Sequence, residues 1–244
     1  MGFDIFDGVQ SELKANLAAV RQRIDIAAMH AGRDPDDVKL VAVSKTHPAA
    51  TLLNAIAAGV MIFGENKVQE AEGKIAEIGR NAAEWHLIGH LQSNKARKAV
   101  QLFDVIHSVD SVELATRLER ICVDEGRDKL KIFVQVDFAG EETKSGIAES
   151  DLPELVAYLK TSERLDFDGL MVLPPFFDEP EATRPFFKRL REIRDRLSFE
   201  GAFANHGELS MGMSHDFEVA VAEGATVVRV GTAIFGERAI KSYA

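Results

Sequence analysis

Eight short apolar segments, spaced at fairly even intervals, constrain the fold of this chain more than any other feature. Each is rich in Val, Ile or Phe and is followed by a longer stretch with helical periodicity. This alternation is typical of parallel strands that are buried on both faces and joined by helices. The segments are Lys39 to Lys45, Met61 to Asn66, Glu84 to Gly89, Asp104 to Asp110, Lys131 to Asp137, Phe167 to Pro174, Glu208 to Ser214 and Thr226 to Thr232.

The number and spacing of these segments predict the fold class. Eight strand–helix units fit a (β/α)8 TIM barrel, a fold of about 250 residues, better than an open sheet. A doubly wound open sheet is the structural alternative. Residues 9–31 have the periodicity of one long helix, which we expect beside or under the barrel. We therefore predict an α/β protein with a single domain over residues 1–244, divided into an N-terminal helix region (1–35) and the barrel (36–244).

Composition excludes several classes of protein. A chain of 244 residues with 46% hydrophobic content can bury a large core, and no apolar run approaches the roughly 20 residues that span a membrane. The acidic N-terminus lacks the basic and apolar regions of a secretory signal. The single cysteine, Cys122, excludes an internal disulfide framework, and a net charge of −10 argues against nucleic acid. We expect a cytoplasmic monomer that binds neither membrane nor nucleic acid.

Lys45 closes the first apolar segment. An ammonium group is costly there unless the site gives it a chemical role, so we interpret Lys45 as a lysine that forms a Schiff base. The alternative is a strand-end lysine whose side chain reaches solvent.

The last two strands end in segments suited to phosphate. Loops at the carboxyl ends of these strands commonly bind phosphate in barrels, and small residues let backbone N–H groups approach an anion. Barrel closure places the last strand beside the first, so this site and Lys45 become neighbours. The residues predicted at these strand ends are Ser210, Met211, Gly212, Met213 and Ser214 on one strand, and Arg229, Gly231 and Thr232 on the other. Together with Lys45 they suggest pyridoxal 5'-phosphate.

Polar residues on two further strands complete the predicted site. Asn66 ends the second strand, and His86 lies on the third, where it is either a ligand contact or a satisfied core residue. If Arg229 points inward, so do the residues two positions away. The alternative for Arg229 is an ion pair with Glu65 or Glu208. No HExxH or GxSxG motif supports a zinc site or a serine hydrolase.

Seven segments of the sequence match a familiar pattern: residues 43–46, 63–66, 85–89, 91–95, 144–147, 209–214 and 228–236. Together they resemble the pyridoxal phosphate homeostasis protein family (YggS/PROSC), over nearly the whole chain. The family is similar to the barrel domain of alanine racemase, the barrel part of the type III pyridoxal phosphate fold. The resemblance implies Lys45 as the internal aldimine, Arg229 near the pyridine nitrogen, and Ser210 with the Gly231-Thr232 turn around the phosphate. Lys67 stands where the family often has Tyr.

The resemblance leaves open whether the chain is an enzyme. Catalytic relatives use a second domain that supplies an acid or base such as Tyr or Cys; here Tyr158 lies in a helix pattern and Tyr243 is next to the terminus. We therefore favour a non-catalytic carrier that buffers pyridoxal phosphate or transfers it to apoenzymes. One rival is a racemase-like enzyme with Lys144, His90 or Cys122 as second base. Another is an aldolase that uses Lys45 on a phosphosugar without a cofactor.

Overall fold

A closed parallel barrel forms the centre of the protein. The computed structural model describes residues 3–138 and 145–236. The strands in these residues are β1 Lys39–Val43, β2 Ile62–Glu65, β3 Glu84–Leu87, β4 Val105–Val109, β5 Leu130–Asp137, β6 Ile147–Ala148, β7 Leu165–Val172, β8 Glu208–Met213 and β9 Val227–Val230. Eight of them close the barrel in the order β4-β3-β2-β1-β9-β8-β7-β5, with β5 pairing back to β4, and the two-residue β6 adds to β5. The predicted (β/α)8 barrel is confirmed, and closure excludes the open-sheet alternative.

Helices follow most barrel strands and form the outer layer. Within the described residues they are α1 Phe3–His30, α2 Ala49–Ala57, α3 Val68–Ile78, α4 Ala96–Leu102, α5 Val112–Asp124, α6 Leu152–Leu159, α7 Arg184–Phe199, α8 Phe217–Ala222 and α9 Thr232–Phe235. Among these helices, none combines the length and the apolar character needed to cross a bilayer.

Local sequence signals place several helix ends. The Ser111 hydroxyl accepts a hydrogen bond from the Leu114 amide and caps α5, as its residue type predicts. Pro48 precedes α2, and Gly59, with φ +105°, follows its end. The extra helix α1 begins six residues before the predicted position. It packs beside the barrel against α2, α8 and α9, and Asn16 donates a hydrogen bond to the Ile234 carbonyl (3.1 Å).

Two hydrophobic cores stabilise the barrel. The larger lies between the strands and the surrounding helices. The smaller fills the barrel and consists of Val41, Val105, Phe133, Met171 and Val227, all buried. Val41 and Val227 point into the barrel. Because side chains alternate along a strand, Arg229, two residues after Val227, points inward as well.

Candidate cofactor site at the carboxyl end of the barrel

Lys45 follows β1 by two residues and stands half-buried in a turn at the carboxyl end of the barrel. The Ser44 amide still donates to the Gly64 carbonyl of β2 (3.0 Å). Immediately after Lys45, Thr46 has φ +70°, in the left-handed region that β-branched residues rarely adopt. A residue keeps such a conformation only where neighbouring contacts hold it, so the backbone at Lys45 is fixed from outside the turn.

A buried ion cluster behind the barrel wall provides those contacts. The Lys74 ammonium group on α3 donates to the Ser44 carbonyl (2.8 Å) and to Glu70 (2.7 Å). Glu70 in turn accepts the Thr46 amide. The residues on either side of Lys45 are therefore both anchored to α3.

Glu65, at the end of β2, completes this cluster. Its Oε1 accepts from the Ser44 hydroxyl (2.6 Å) and from Lys74 (2.6 Å). Its Oε2 is buried and, within the described part of the chain, has no hydrogen-bond partner. Burial raises the pKa of Glu65, and the hydrogen bond from Lys74 opposes that rise. The sequence signal for this cluster is a lysine at an apolar position of a helix, with a glutamate four residues earlier.

Arg229 projects into the barrel from β9 and is 2% exposed. Its Nη1 donates to the Ser210 hydroxyl (2.5 Å) and its Nη2 to the Val172 carbonyl (2.9 Å). Burial lowers the pKa of Arg229 to about 10, and nearby Asp216 opposes this. The inward direction predicted from alternation agrees with the structure.

The ion-pair alternative for Arg229 is wrong. Glu65 pairs with Lys74 (2.6 Å), and Glu208 pairs with Lys39 (3.4 Å) at the other end of the barrel. Arg229 instead uses neutral acceptors, which leaves its positive charge to act on whatever occupies the mouth of the barrel.

The structure corrects the role predicted for Ser210. Its hydroxyl lies inside the barrel, fully buried, between Arg229 and the Nδ1 atom of His107 (2.8 Å). Ser214 lies four residues further toward the mouth, and its hydroxyl accepts the Gly231 amide (3.1 Å). The serine beside the Gly231-Thr232 turn is therefore Ser214.

The other β8 residues predicted at the phosphate end have packing roles. Met211 points outward and belongs to the core between strands and helices. Gly212 has φ +91°, and a Cβ there would lie 2.6 Å from the Cβ of Ala220, so glycine lets α8 pack closely on β8. The Met213 amide donates to Asp216 (2.7 Å). These contacts shape the turn that presents the next serine.

The end of β9 lies against the end of β1. A Cβ on Gly231 would be 3.2 Å from the Val43 carbonyl oxygen, so the two strand ends are in close contact. Thr232 is exposed and begins the short helix α9. Ser214, Gly231 and Thr232 therefore converge beside the strand that Lys45 follows.

Asn66 and His86 have different positions. Asn66 is half-buried at the mouth, where it lines a cavity of about 410 Å³ with Lys67 and His90. His86 is 3% exposed, and both of its ring nitrogens have protein partners, Glu84 (2.9 Å) and His107 (2.9 Å). Of the two interpretations predicted for His86, these contacts agree with a satisfied residue inside the barrel.

Comparison with known proteins agrees with this architecture. The family profile of the alanine racemase N-terminal domain matches residues 15–239. A pyridoxal phosphate homeostasis protein from Pseudomonas aeruginosa is 46% identical over 93% of this chain and 96% of its own length. One from Escherichia coli K12 is 41% identical, over 93% and 97%. The chain belongs to the family of pyridoxal phosphate homeostasis proteins. The resemblance stated from the sequence motifs is confirmed.

A solved structure has the same fold. PipY of Synechococcus elongatus, determined with pyridoxal phosphate bound, is 42% identical to this chain and superposes with a TM-score of 0.81. The match covers 92% of this chain and 100% of PipY. The barrel of the homeostasis protein family is thus shared over the whole length of that relative.

Proposed function

We propose that this protein binds pyridoxal 5'-phosphate through Lys45 and serves pyridoxal phosphate homeostasis by holding the cofactor for storage or transfer. The observation that carries the proposal is the meeting of three chemically distinct groups at one end of the barrel. These are an amine held on a constrained turn, a buried guanidinium, and the Ser214–Gly231–Thr232 turn. A relative with the same barrel, PipY, has been solved with this cofactor.

The residues present fit the cofactor. The Ser214 and Thr232 hydroxyls, with the amides of Thr232 and Ala233 at the start of α9, supply donors for a phosphate group. Arg229 has only donors, so it suits an unprotonated pyridine nitrogen. When bound, pyridoxal phosphate supplies an aldehyde that an amine can capture and a ring that can accept electrons. A guanidinium at the ring nitrogen weakens that second property, which favours a carrier over an enzyme.

The racemase alternative requires a second acid or base. Cys122 is fully buried in α5, and burial raises its pKa to about 11, so its thiol has neither the position nor the reactivity. Tyr158 packs on the outer core from α6. Lys144 and Tyr243 lie outside the described residues. His90 is at the mouth, with its Nδ1 3.7 Å from Asp110, and is the candidate base to test.

A retention and transfer experiment tests the proposed function. The purified protein is incubated with pyridoxal phosphate, desalted, and assayed for the visible band of bound cofactor. It is then mixed with the apo form of a pyridoxal phosphate enzyme. We expect retention, followed by recovery of the recipient's activity. A protein that retains no cofactor would support the phosphosugar alternative. Solvent-deuterium exchange at an amino-acid α-carbon, lost in His90→Gln, would favour the racemase.

We infer that the protein works in the cytoplasm as a monomer and that pyridoxal phosphate-dependent apoenzymes receive the cofactor. The free, buried thiol of Cys122 suits a reducing compartment. Sedimentation equilibrium of the loaded protein tests the monomer, and a stable dimer would contradict it.

Ser214→Ala is expected to weaken binding of pyridoxal phosphate about tenfold, because one hydrogen bond to a charged group contributes about 1.5 kcal/mol. The measurement is a fluorescence or absorbance titration at constant ionic strength. Ser93→Ala is the matched control, since Ser93 is exposed at the same end of the barrel. Equal affinities of the two variants would contradict the assignment of Ser214 to the phosphate.

A further inference from the structure

A continuous chain of hydrogen bonds crosses the inside of the barrel. It begins at Arg229, whose Nη1 donates to Ser210 (2.5 Å), and continues from Ser210 to His107 Nδ1 (2.8 Å). His107 Nε2 then meets His86 Nδ1 (2.9 Å), and His86 Nε2 meets Glu84 Oε1 (2.9 Å). The first four members are buried. The Glu84 side chain is 46% exposed and lines a cavity of about 520 Å³ at the opposite end of the barrel.

The number of protons in this chain fixes its direction. The guanidinium can only donate, so Ser210 accepts from Arg229. An ionised Glu84 can only accept, so His86 donates from Nε2 and, when neutral, accepts at Nδ1. His107 must then donate from Nε2 and accept at Nδ1, which the Ser210 hydroxyl proton satisfies. When both imidazoles are neutral, each therefore carries its proton on Nε2, and every bond has one donor.

The charges around this hydrogen-bond chain support a neutral His107. Burial, His86 and Arg229 together lower the pKa of His107 well below its usual range. The hydrogen bond from His86 lowers the pKa of Glu84, and Lys131 and Lys39 act in the same direction. At the other end, Asp216 is the charged group that acts on Arg229. His107 also stacks on the apolar ring of Phe133 (4.4 Å), which offers no competing hydrogen bond.

One added proton reverses the chain. If His86 takes up a proton from solvent, its Nδ1 becomes a donor and His107 must carry its proton on Nδ1. Ser210 then accepts from both His107 and Arg229, and its own proton turns away. A positive charge also appears inside the barrel that holds Arg229, and like charges repel strongly where water is excluded. The hold on the guanidinium therefore weakens when the chain is protonated.

We propose that His107 and His86 are positioning residues that couple Arg229, and through it the cofactor ring, to the protonation state at the Glu84 end of the barrel. The inference rests on the proposed function, because it assigns Arg229 to the ring nitrogen. It identifies a control point at the end of the barrel opposite the cofactor. Protonation from that end loosens the cofactor at the mouth as the pH falls.

The apoprotein provides the first test. Imidazole ¹⁵N NMR distinguishes the two neutral tautomers, and at pH 8 we expect Nε2–H for both His86 and His107. At lower pH we expect His107 to change to Nδ1–H as His86 becomes an imidazolium. An Nδ1–H tautomer for His107 at pH 8 would overturn the chain's direction, whether or not the cofactor binds.

The loaded protein provides the second test, in which the visible band of bound cofactor is titrated with pH. We expect a transition on acidification that moves to lower pH by about one unit or more in Glu84→Gln, because the Glu84 carboxylate is the negative charge that balances a proton added at this end of the barrel. In His107→Phe, which keeps the stacking on Phe133, this transition is expected to disappear. Glu208→Gln is the matched control, because Glu208 lies at the same end of the barrel but is not part of the hydrogen-bond chain. We expect this variant to keep the transition.

The outcomes separate the two proposals. A wild-type band whose pH response is the same in Glu84→Gln and His107→Phe, or that shows no acid transition, would overturn the coupling but not the cofactor site. A wild type without any band would count against the proposed function. The apoprotein NMR would still test the direction of the hydrogen bonds from Arg229 to Glu84. Glu84 is at the surface, so Glu84→Gln is expected to fold. It therefore provides the test on its own if His107→Phe does not fold.

Discussion

Lys45→Ala is expected to remove the visible band of bound pyridoxal phosphate and to let the cofactor pass into the filtrate on desalting. An alanine has no amine to capture the aldehyde, so binding depends only on non-covalent contacts at Ser214, Gly231 and Arg229. The wild type is expected to retain about one cofactor per chain. The measurement is the absorption spectrum of each protein after incubation and desalting, together with the released cofactor.

Lys67→Ala is the matched control for this experiment. Lys67 is exposed and lines the cavity at the same end of the barrel, so it carries the same charge to the same region. We expect this variant to keep the band. If the band were lost in Lys67→Ala and kept in Lys45→Ala, the capturing amine would belong to Lys67. That result would contradict the proposed site.

Much of the barrel and part of its site could be predicted from local sequence. The apolar segments indicate the strands because parallel strands are buried on both faces. Lys45 stands out because it ends such a segment, and Arg229 because it interrupts one. Alternation then gives their inward direction without any knowledge of pairing. Each of these inferences uses residues that are neighbours along one strand.

The depth of a residue within the barrel could not be predicted in that way. Ser210 and Ser214 lie on the same strand pattern, and the register of β8 against β9 shifts between Ser210 and Met213. In the structure Ser210 pairs with Val227 inside the barrel, whereas Ser214 accepts the amide of Gly231, beyond the end of β9. His107 was not recognised either, since its partner Ser210 is 103 residues away. Contacts across the barrel depend on closure, which local sequence does not encode.

The cluster around Lys74 gives the second large effect that we expect. Lys74→Met is expected to lower the free energy of unfolding by about 3–5 kcal/mol, because it leaves the carboxylate of Glu65 buried without its cation. It is also expected to reduce cofactor retention, since Lys74 anchors the carbonyl of Ser44 beside the capturing lysine. Urea unfolding measures the first effect, and the absorbance of desalted protein measures the second.

Lys98→Met is the same substitution at a surface ion pair. Lys98 is 2.9 Å from Glu72, and both side chains are more than 40% exposed. Exposed pairs contribute less than about 1 kcal/mol, so this variant should keep nearly all of its stability and its cofactor. Similar losses in the two variants would contradict a special role for the buried cluster.

The pH dependence of the stability of Lys74→Met shows why this variant is destabilised. Without Lys74, burial is opposed only by the Ser44 hydroxyl, so the pKa of Glu65 in the folded state rises further above its unfolded value of about 4.3. The folded state then binds more protons than the unfolded state, and the stability deficit shrinks as the pH falls from 7 toward 5. Adding Glu65→Gln to Lys74→Met removes the unpaired charge and should recover part of the loss at pH 7. A deficit that is constant with pH and unaffected by Glu65→Gln would show that lost packing, rather than the buried carboxylate, destabilises the variant.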